Sequence, residues 1–175
     1  MTIWDPGANN VLDLSGFTTG CTINLNPGSF SSVGGLVNNL GIAFGTRIDR
    51  VVGSQGNDTY VATAAGETIE GGGGNDTVDL QGAAANYELS RDGGTVTAVN
   101  RSSNTTYRLS DVETIAFDDS SIATDTIPCF VEGTRIATPA GGTPVEMLAI
   151  GAEVLTATGE TATVAWMGHR RVDCA

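Results

Sequence analysis

The chain has 175 residues, with 20 acidic against 8 basic side chains and a formal net charge of −12. That balance excludes a general nucleic-acid binder, which needs basic surface for phosphates, and no apolar run approaches the roughly 18 residues of a membrane span. Three cysteines, Cys21, Cys129 and Cys174, are too few and too odd in number for a disulfide scaffold, although a Cys21–Cys174 pair stays open as a minor alternative.

The opening, Met1 to Asp5, has neither the basic start nor the apolar core of a secretory signal. It reads as folded strand and loop, so the natural chain is expected to begin further upstream. The stretch Trp4 to Phe17 reads as a worn copy of a nine-residue repeat whose clear copies come later. Asp5 and Gly7 keep their places there, while Ala8 replaces a glycine and Asn10 stands where an acid belongs. Asn10 offers a neutral oxygen and less charge, so this loop is expected to keep its shape and bind a cation poorly.

The clear copies run from Gly53 to Asp79. Gly53-Ser54-Gln55-Gly56-Asn57-Asp58-Thr59-Tyr60-Val61 and Gly71-Gly72-Gly73-Gly74-Asn75-Asp76-Thr77-Val78-Asp79 both follow G-G-x-G-x-D-x-U-x, where U is a large apolar residue. The first has Ser54 in place of the second glycine, and Ala62 to Glu70 fills the nine between them in register. Each nine supplies a loop and a short strand, so two nines make one coil of a parallel β-roll, and Asp58 and Asp76 stack. Stacked carboxylates repel unless a cation lies near. Glycine-rich loops turn carbonyl oxygens inward, and carbonyls plus carboxylates suit Ca²⁺ with its six to eight oxygen ligands. The expected ligand set is Gly53, Gln55, Asp58, Gly72, Gly74 and Asp76. Tyr60 and Val78 are expected to stack on one side of the roll, with Ile69 on the other. Asp49 and Glu67 are also eighteen apart, so the opposite face of the roll is a candidate for a second, weaker site; Asp5, Gly7 and Asn10 of the worn first loop are further weak candidates. Ordinary exposed acids are the competing reading for Asp49 and Glu67.

The segments Trp4-Asp5-Pro6-Gly7, Leu14-Ser15-Gly16-Phe17, Ile23 to Leu36, Ile42 to Asp49 and Gly53 to Asp58 together resemble the C-terminal β-roll domain of serralysin-type secreted metalloproteases, over about residues 3–80. The resemblance implies a calcium-stabilised parallel β-roll of a bacterial protein, secreted through a type I system. It also implies a first calcium loop at Asp5 and Gly7, from which Ala8 and Asn10 depart. It does not bring the protease: that site needs H-E-x-x-H-x-x-G-x-x-H, with three imidazoles on zinc, and His169 is the one histidine here.

From Asn86 the pattern alternates. Asn86 to Arg91 and Thr95 to Val99, around Asp92-Gly93-Gly94, read as a β-hairpin. Thr106 to Leu109 is a further strand, and Asp111-Val112-Glu113-Thr114-Ile115-Ala116-Phe117 a short unit after it. Residues 83–124 are read as an antiparallel β cap on a roll spanning 1–82, with 125–128 as linker. Next come Cys129-Phe130-Val131-Glu132-Gly133-Thr134-Arg135-Ile136-Ala137-Thr138-Pro139 and Pro144-Val145-Glu146-Met147-Leu148. These resemble the first blocks of a Hint domain, the self-cleaving module of hedgehog proteins and inteins, over residues 129–175. The resemblance implies that the Cys129 sulfur attacks the Pro128 carbonyl to form a thioester. A later Thr-x-x-His block is needed to finish, and His169 does not match it, so the Hint portion is expected to be truncated.

The predicted class is therefore all-β: a parallel roll, a β cap and a partial Hint fold. The expected role is a calcium-binding structural module of a secreted protein that folds on calcium outside the cell. Autoproteolysis at Pro128–Cys129 is the enzymatic alternative, and a calcium-dependent adhesin or surface-protein fragment is a third.

Overall fold

The computed structural model describes residues 1–127, 133–156 and 158–164. The chain divides into two compact units, Met1–Ile127 and Pro128–Ala175, each described by itself.

In the first unit the strands are, in chain order, β1 (Thr2–Ile3), β2 (Val11–Asp13), β3 (Thr22–Asn24), β4 (Phe30–Ser31), β5 (Leu40–Ile42), β6 (Arg50–Val52), β7 (Thr59–Val61), β8 (Thr68–Glu70) and β9 (Thr77–Asp79). Then follow β10 (Tyr87–Asp92), β11 (Thr95–Asn100), β12 (Thr106–Ser110), β13 (Thr114–Ala116) and β14 (Ser121–Ala123). No α-helix occurs among the described residues; short 3-10 turns lie at Ala84–Asn86, Thr124–Thr126 and Val145–Met147.

The repeat dictates why most solenoid strands are three residues long. Side chains alternate across a strand, and each nine has one large apolar residue at its centre. That residue points inward while its two neighbours stay partly or fully exposed. Parallel pairing then stacks the inward residues in two files. One sheet aligns Leu12, Val51, Ile69 and Leu109. The other aligns Ile23, Tyr60, Val78 and Ile115. All eight are buried, and full burial of such a side chain is worth roughly 1.5–3 kcal/mol. Tyr60 thus stacks on Val78, with Ile69 in the other sheet, as the nine-residue register requires.

The solenoid continues past the nonapeptides. After the 83–105 excursion, β12 pairs in parallel with β8 and β13 with β9, adding one more coil. The predicted hairpin is present as antiparallel β10–β11, and β11 also pairs antiparallel with β12. β14 closes the second sheet antiparallel to β13. Tyr87, Tyr107 and Phe117 plug this end of the core, with ring centroids 6.2 Å apart for Tyr87–Tyr107 and 5.3 Å for Tyr87–Phe117. At the other end β1 and β4 flank β5 in a small mixed sheet, and Trp4, Phe30 and Phe44 are exposed.

The second unit contributes β15 (Arg135–Thr138) paired with β16 (Gly141–Pro144), and β17 (Glu153–Leu155) paired with β18 (Thr161–Thr163), both antiparallel. None of its described residues, 133–156 and 158–164, is buried. Cys129, His169 and Cys174 lie outside the described residues.

Candidate metal centre

Two loop edges run along the roll, one at the start of each sheet's strands. On the first edge the residue just before each strand sits on a common file: Cys21, Asp58, Asp76 and Glu113 precede β3, β7, β9 and β13. The backbone N–H of each of the first three donates to the carboxylate of the next coil, and the Glu113 N–H donates to the Asp76 carbonyl at 3.1 Å. Cys21 donates to Asp58 Oδ1 at 2.6 Å, Asp58 to Asp76 Oδ1 at 2.7 Å, and Asp76 to Glu113 Oε2 at 2.6 Å. Asp58 and Asp76 therefore do stack on successive coils, with an amide of one facing a carboxylate of the other.

The two aspartates differ in what else they meet. Asp58 is buried, and four donors occupy its carboxylate. Besides the Cys21 amide, the Ser54 N–H reaches Oδ2 at 2.7 Å, the Ser54 hydroxyl reaches Oδ1 at 2.8 Å and the Tyr60 hydroxyl reaches Oδ2 at 2.9 Å. Ser54, the departure from the glycine pattern, is thus a second donor to Asp58. Burial and the Asp58 charge beside it push the Tyr60 phenol far above its ordinary range, so it remains a donor.

Asp76 is equally buried, yet its Oδ2 has no hydrogen-bond partner. Burial, followed by the charges of Asp58, Glu113 and Asp111, raises its carboxyl to about 6 even though the Asp58 amide pulls the other way. A Cβ on Gly71 would fall 2.6 Å from this oxygen and collide with the Asp111 carbonyl oxygen. The free Asp76 oxygen and the Asp111 carbonyl therefore converge on one point beside Gly71. At the coil before, the corresponding point beside Gly53 is bounded by the Gly71 carbonyl and filled by the Tyr60 hydroxyl.

Gly72 and Gly74 have φ of +98° and +112°, a region that favours glycine, and the loop they bend lies against Ser54 and Asn57 of the preceding coil. Gln55 is exposed, and its backbone N–H donates to the Phe17 carbonyl at 2.9 Å.

The second edge carries Asn10, Asp49 and Glu67, which precede β2, β6 and β8. The carboxylates of Asp49 and Glu67 are engaged separately. Asp49 Oδ1 pairs with Arg47 Nε at 2.9 Å, and Oδ2 accepts the Asn10 N–H at 3.0 Å. Glu67 is buried, with one oxygen bonded to the Thr63 hydroxyl and the other to the Thr63 N–H at 3.3 Å; burial raises its carboxyl. Asp5 Oδ1 accepts the Gly7 N–H at 2.7 Å, and the Asn10 side-chain amide donates to the carbonyls of Gly7 and Arg47 at 3.3 and 2.8 Å.

A hard cation with oxygen ligands fits the first edge at Asp76. An orphaned buried carboxylate oxygen there sits beside a main-chain carbonyl, with Glu113 on the next coil. Among the described residues no three His, Cys, Asp or Glu side chains group closely enough to hold a metal by themselves, so carbonyls must complete any shell. Sequence spacing missed Glu113 and Asp111. The available signal was the triplet acid-Thr-apolar, seen in Asp58-Thr59-Tyr60, Glu67-Thr68-Ile69 and Asp76-Thr77-Val78, and again in Glu113-Thr114-Ile115.

Residues 1–134 match the family described as Peptidase M10 serralysin C terminal, and residues 128–175 match the Hint domain. Among similar proteins are metallopeptidase AprA of Pseudomonas marginalis, 48% identical over 69 residues, and the serralysin of Photorhabdus luminescens, 47% identical over 69 residues. Each of these alignments covers 39% of this chain and 14% of the relative. Serralysin C of Dickeya chrysanthemi is 47% identical over 60 residues, 34% of this chain and 12% of that protein. The matched stretch thus spans about a seventh of the length of these relatives.

Proposed function

Since the chain belongs to the serralysin C-terminal family and ends in a Hint match, we propose that its first unit is a calcium-binding structural module of a secreted bacterial protein. The carrying observation is the buried Asp76 Oδ2 without a partner. Asp76, the Asp111 carbonyl and Glu113 would hold the ion, aided by carbonyls of the Gly53–Asp58 and Gly71–Asp76 loops. Calcium would supply the positive charge that this cluster of acids lacks. The acidic chain, with its net charge of −12, repels itself when unfolded, suits export by a type I system in that state, and gains the binding energy as folding energy outside the cell. Circular dichroism tests this: the β signal of the full chain should grow on adding millimolar calcium, the affinity range of many extracellular modules, and shrink on chelation. A spectrum and unfolding midpoint indifferent to both would sink the reading.

For residues 128–175 we read the front of a Hint module, with Cys129 as its nucleophile and the Pro128 carbonyl as the group attacked. The described part of this unit has no buried residue, and a thioester intermediate needs a site shielded from water. Incubation of the chain with a small thiol should therefore leave one intact band. A break after residue 128 would show instead that the module is active as it stands.

A further inference from the structure

On the second edge the places where a cation would bridge the coils are taken by the protein's own nitrogens. Arg47 leaves the 45–49 loop, pairs through Nε with Asp49 Oδ1 at 2.9 Å, and directs Nη2 at the carbonyls of Gly66 and Ala65 on the next coil, at 3.2 and 3.5 Å. One guanidinium thus joins a carboxylate of one coil to two carbonyls of the coil below, eighteen and nineteen residues on. One coil earlier the Asn10 amide nitrogen spans the Gly7 and Arg47 carbonyls at 3.3 and 2.8 Å. The remaining acceptors are spent: Asp49 Oδ2 on the Asn10 N–H, and both Glu67 oxygens on Thr63. A divalent ion would have to share this space with a fixed positive charge and find its carboxylate oxygens already engaged. Guanidinium is suited to the place: it is always charged, and its planar fork of donors reaches several oxygens at once.

We propose that Arg47 is the resident cation of the second edge, a covalently attached stand-in for a metal ion, so that calcium dependence is confined to the Asp76 edge. Asp49 and Glu67 are then structural acceptors and hold no ion.

Two variants of the full chain test this. Arg47→Met keeps the apolar stem and removes the clamp. Its unfolding midpoint, read in chelator, should fall by roughly 2–4 °C, the shift expected for a modest, partly exposed pair; an unchanged midpoint overturns the proposal. Asp49→Asn keeps an acceptor for the Asn10 N–H. By calorimetric titration it should bind as many calcium ions as the parent, with affinity within about twofold. Loss of an ion, or a tenfold weaker constant, overturns the proposal too. If Asp49→Asn does not fold, the Arg47→Met result decides alone. The calcium arm rests on the reading of the Asp76 edge and the chelator arm does not. A parent chain that takes up no calcium would sink that earlier reading and leave the clamp to be judged by its midpoint.

Discussion

Asp58 and Asp76 hold equivalent places on successive coils, and two neighbours separate their chemistry: Ser54, which donates to Asp58 through its N–H and its hydroxyl where the later coil has Gly72, and Tyr60. Two residues after Asp58 comes Tyr60, whose hydroxyl bonds the carboxylate at 2.9 Å. Two residues after Asp76 comes Val78, which has no donor to give, and Asp76 Oδ2 is left bare. The titration of Asp76 follows. Its carboxyl moves from 3.8 to about 6, chiefly through burial. The folded chain without calcium therefore holds a proton that the unfolded chain releases between those two values. Stability from this group is present in full below 3.8 and is lost as the pH rises through about 6. Denaturant titrations in chelator should show that slope, and Asp76→Asn should flatten it. Calcium binding runs the other way, since the ion needs the ionised form. Its affinity should decline as the pH drops through about 6, and Asp76→Asn should weaken it at least tenfold at pH 7, an order-of-magnitude expectation for one carboxylate ligand. Equal affinity in the variant would remove Asp76 from the site.

At the scale of elements, the nonapeptide coils from β6 to β9 were legible because one number governs them. Eighteen residues make a turn, so Tyr60 had to fall on Val78 and Asp58 next to Asp76, and they do. Alternation around Asp92-Gly93-Gly94 was likewise enough to place the β10–β11 hairpin. The next rung was hidden because Asp76 and Glu113 are thirty-seven residues apart, with a hairpin looped out between. Periodicity fails across such an excursion even where the triplet Glu113-Thr114-Ile115 repeats the local pattern. Nor does spacing report where a side chain spends its lone pairs. Asp49 and Glu67 keep the interval of a shared site, yet Arg47 and Thr63 claim their oxygens. Arg47 reads in sequence as a lone basic residue, and its reach across to Ala65 and Gly66 emerges only from the stacked coils.

For the whole first unit, the two edges of one solenoid use different means to the same end. The file of inward apolar residues supplies the core on both sheets, and Tyr87, Tyr107 and Phe117 close one end. One edge joins its coils through an attached guanidinium, while the other is left with a surplus of negative charge around Asp76. Four of the 20 acidic residues counted at the outset, Asp58, Asp76, Asp111 and Glu113, gather along one flank of the last coils.

The chain of amide-to-carboxylate bonds along that flank points one way. Glu113 steadies the amide of Asp76, Asp76 that of Asp58, and Asp58 that of Cys21, and no carboxylate of this file accepts from the amide of a later member; the return bond is main-chain, from the Glu113 N–H to the Asp76 carbonyl at 3.1 Å. Support is handed upward from the chain's later residues to its earlier ones, like courses of masonry laid on a footing. Damage should spread accordingly. Hydrogen-exchange mass spectrometry on Glu113→Ala should find faster exchange at the amides of residues 76, 58 and 21, whereas Asp58→Asn should disturb residue 21 and spare residue 76. Loosening of residue 76 by the Asp58 change would mean the footing is elsewhere.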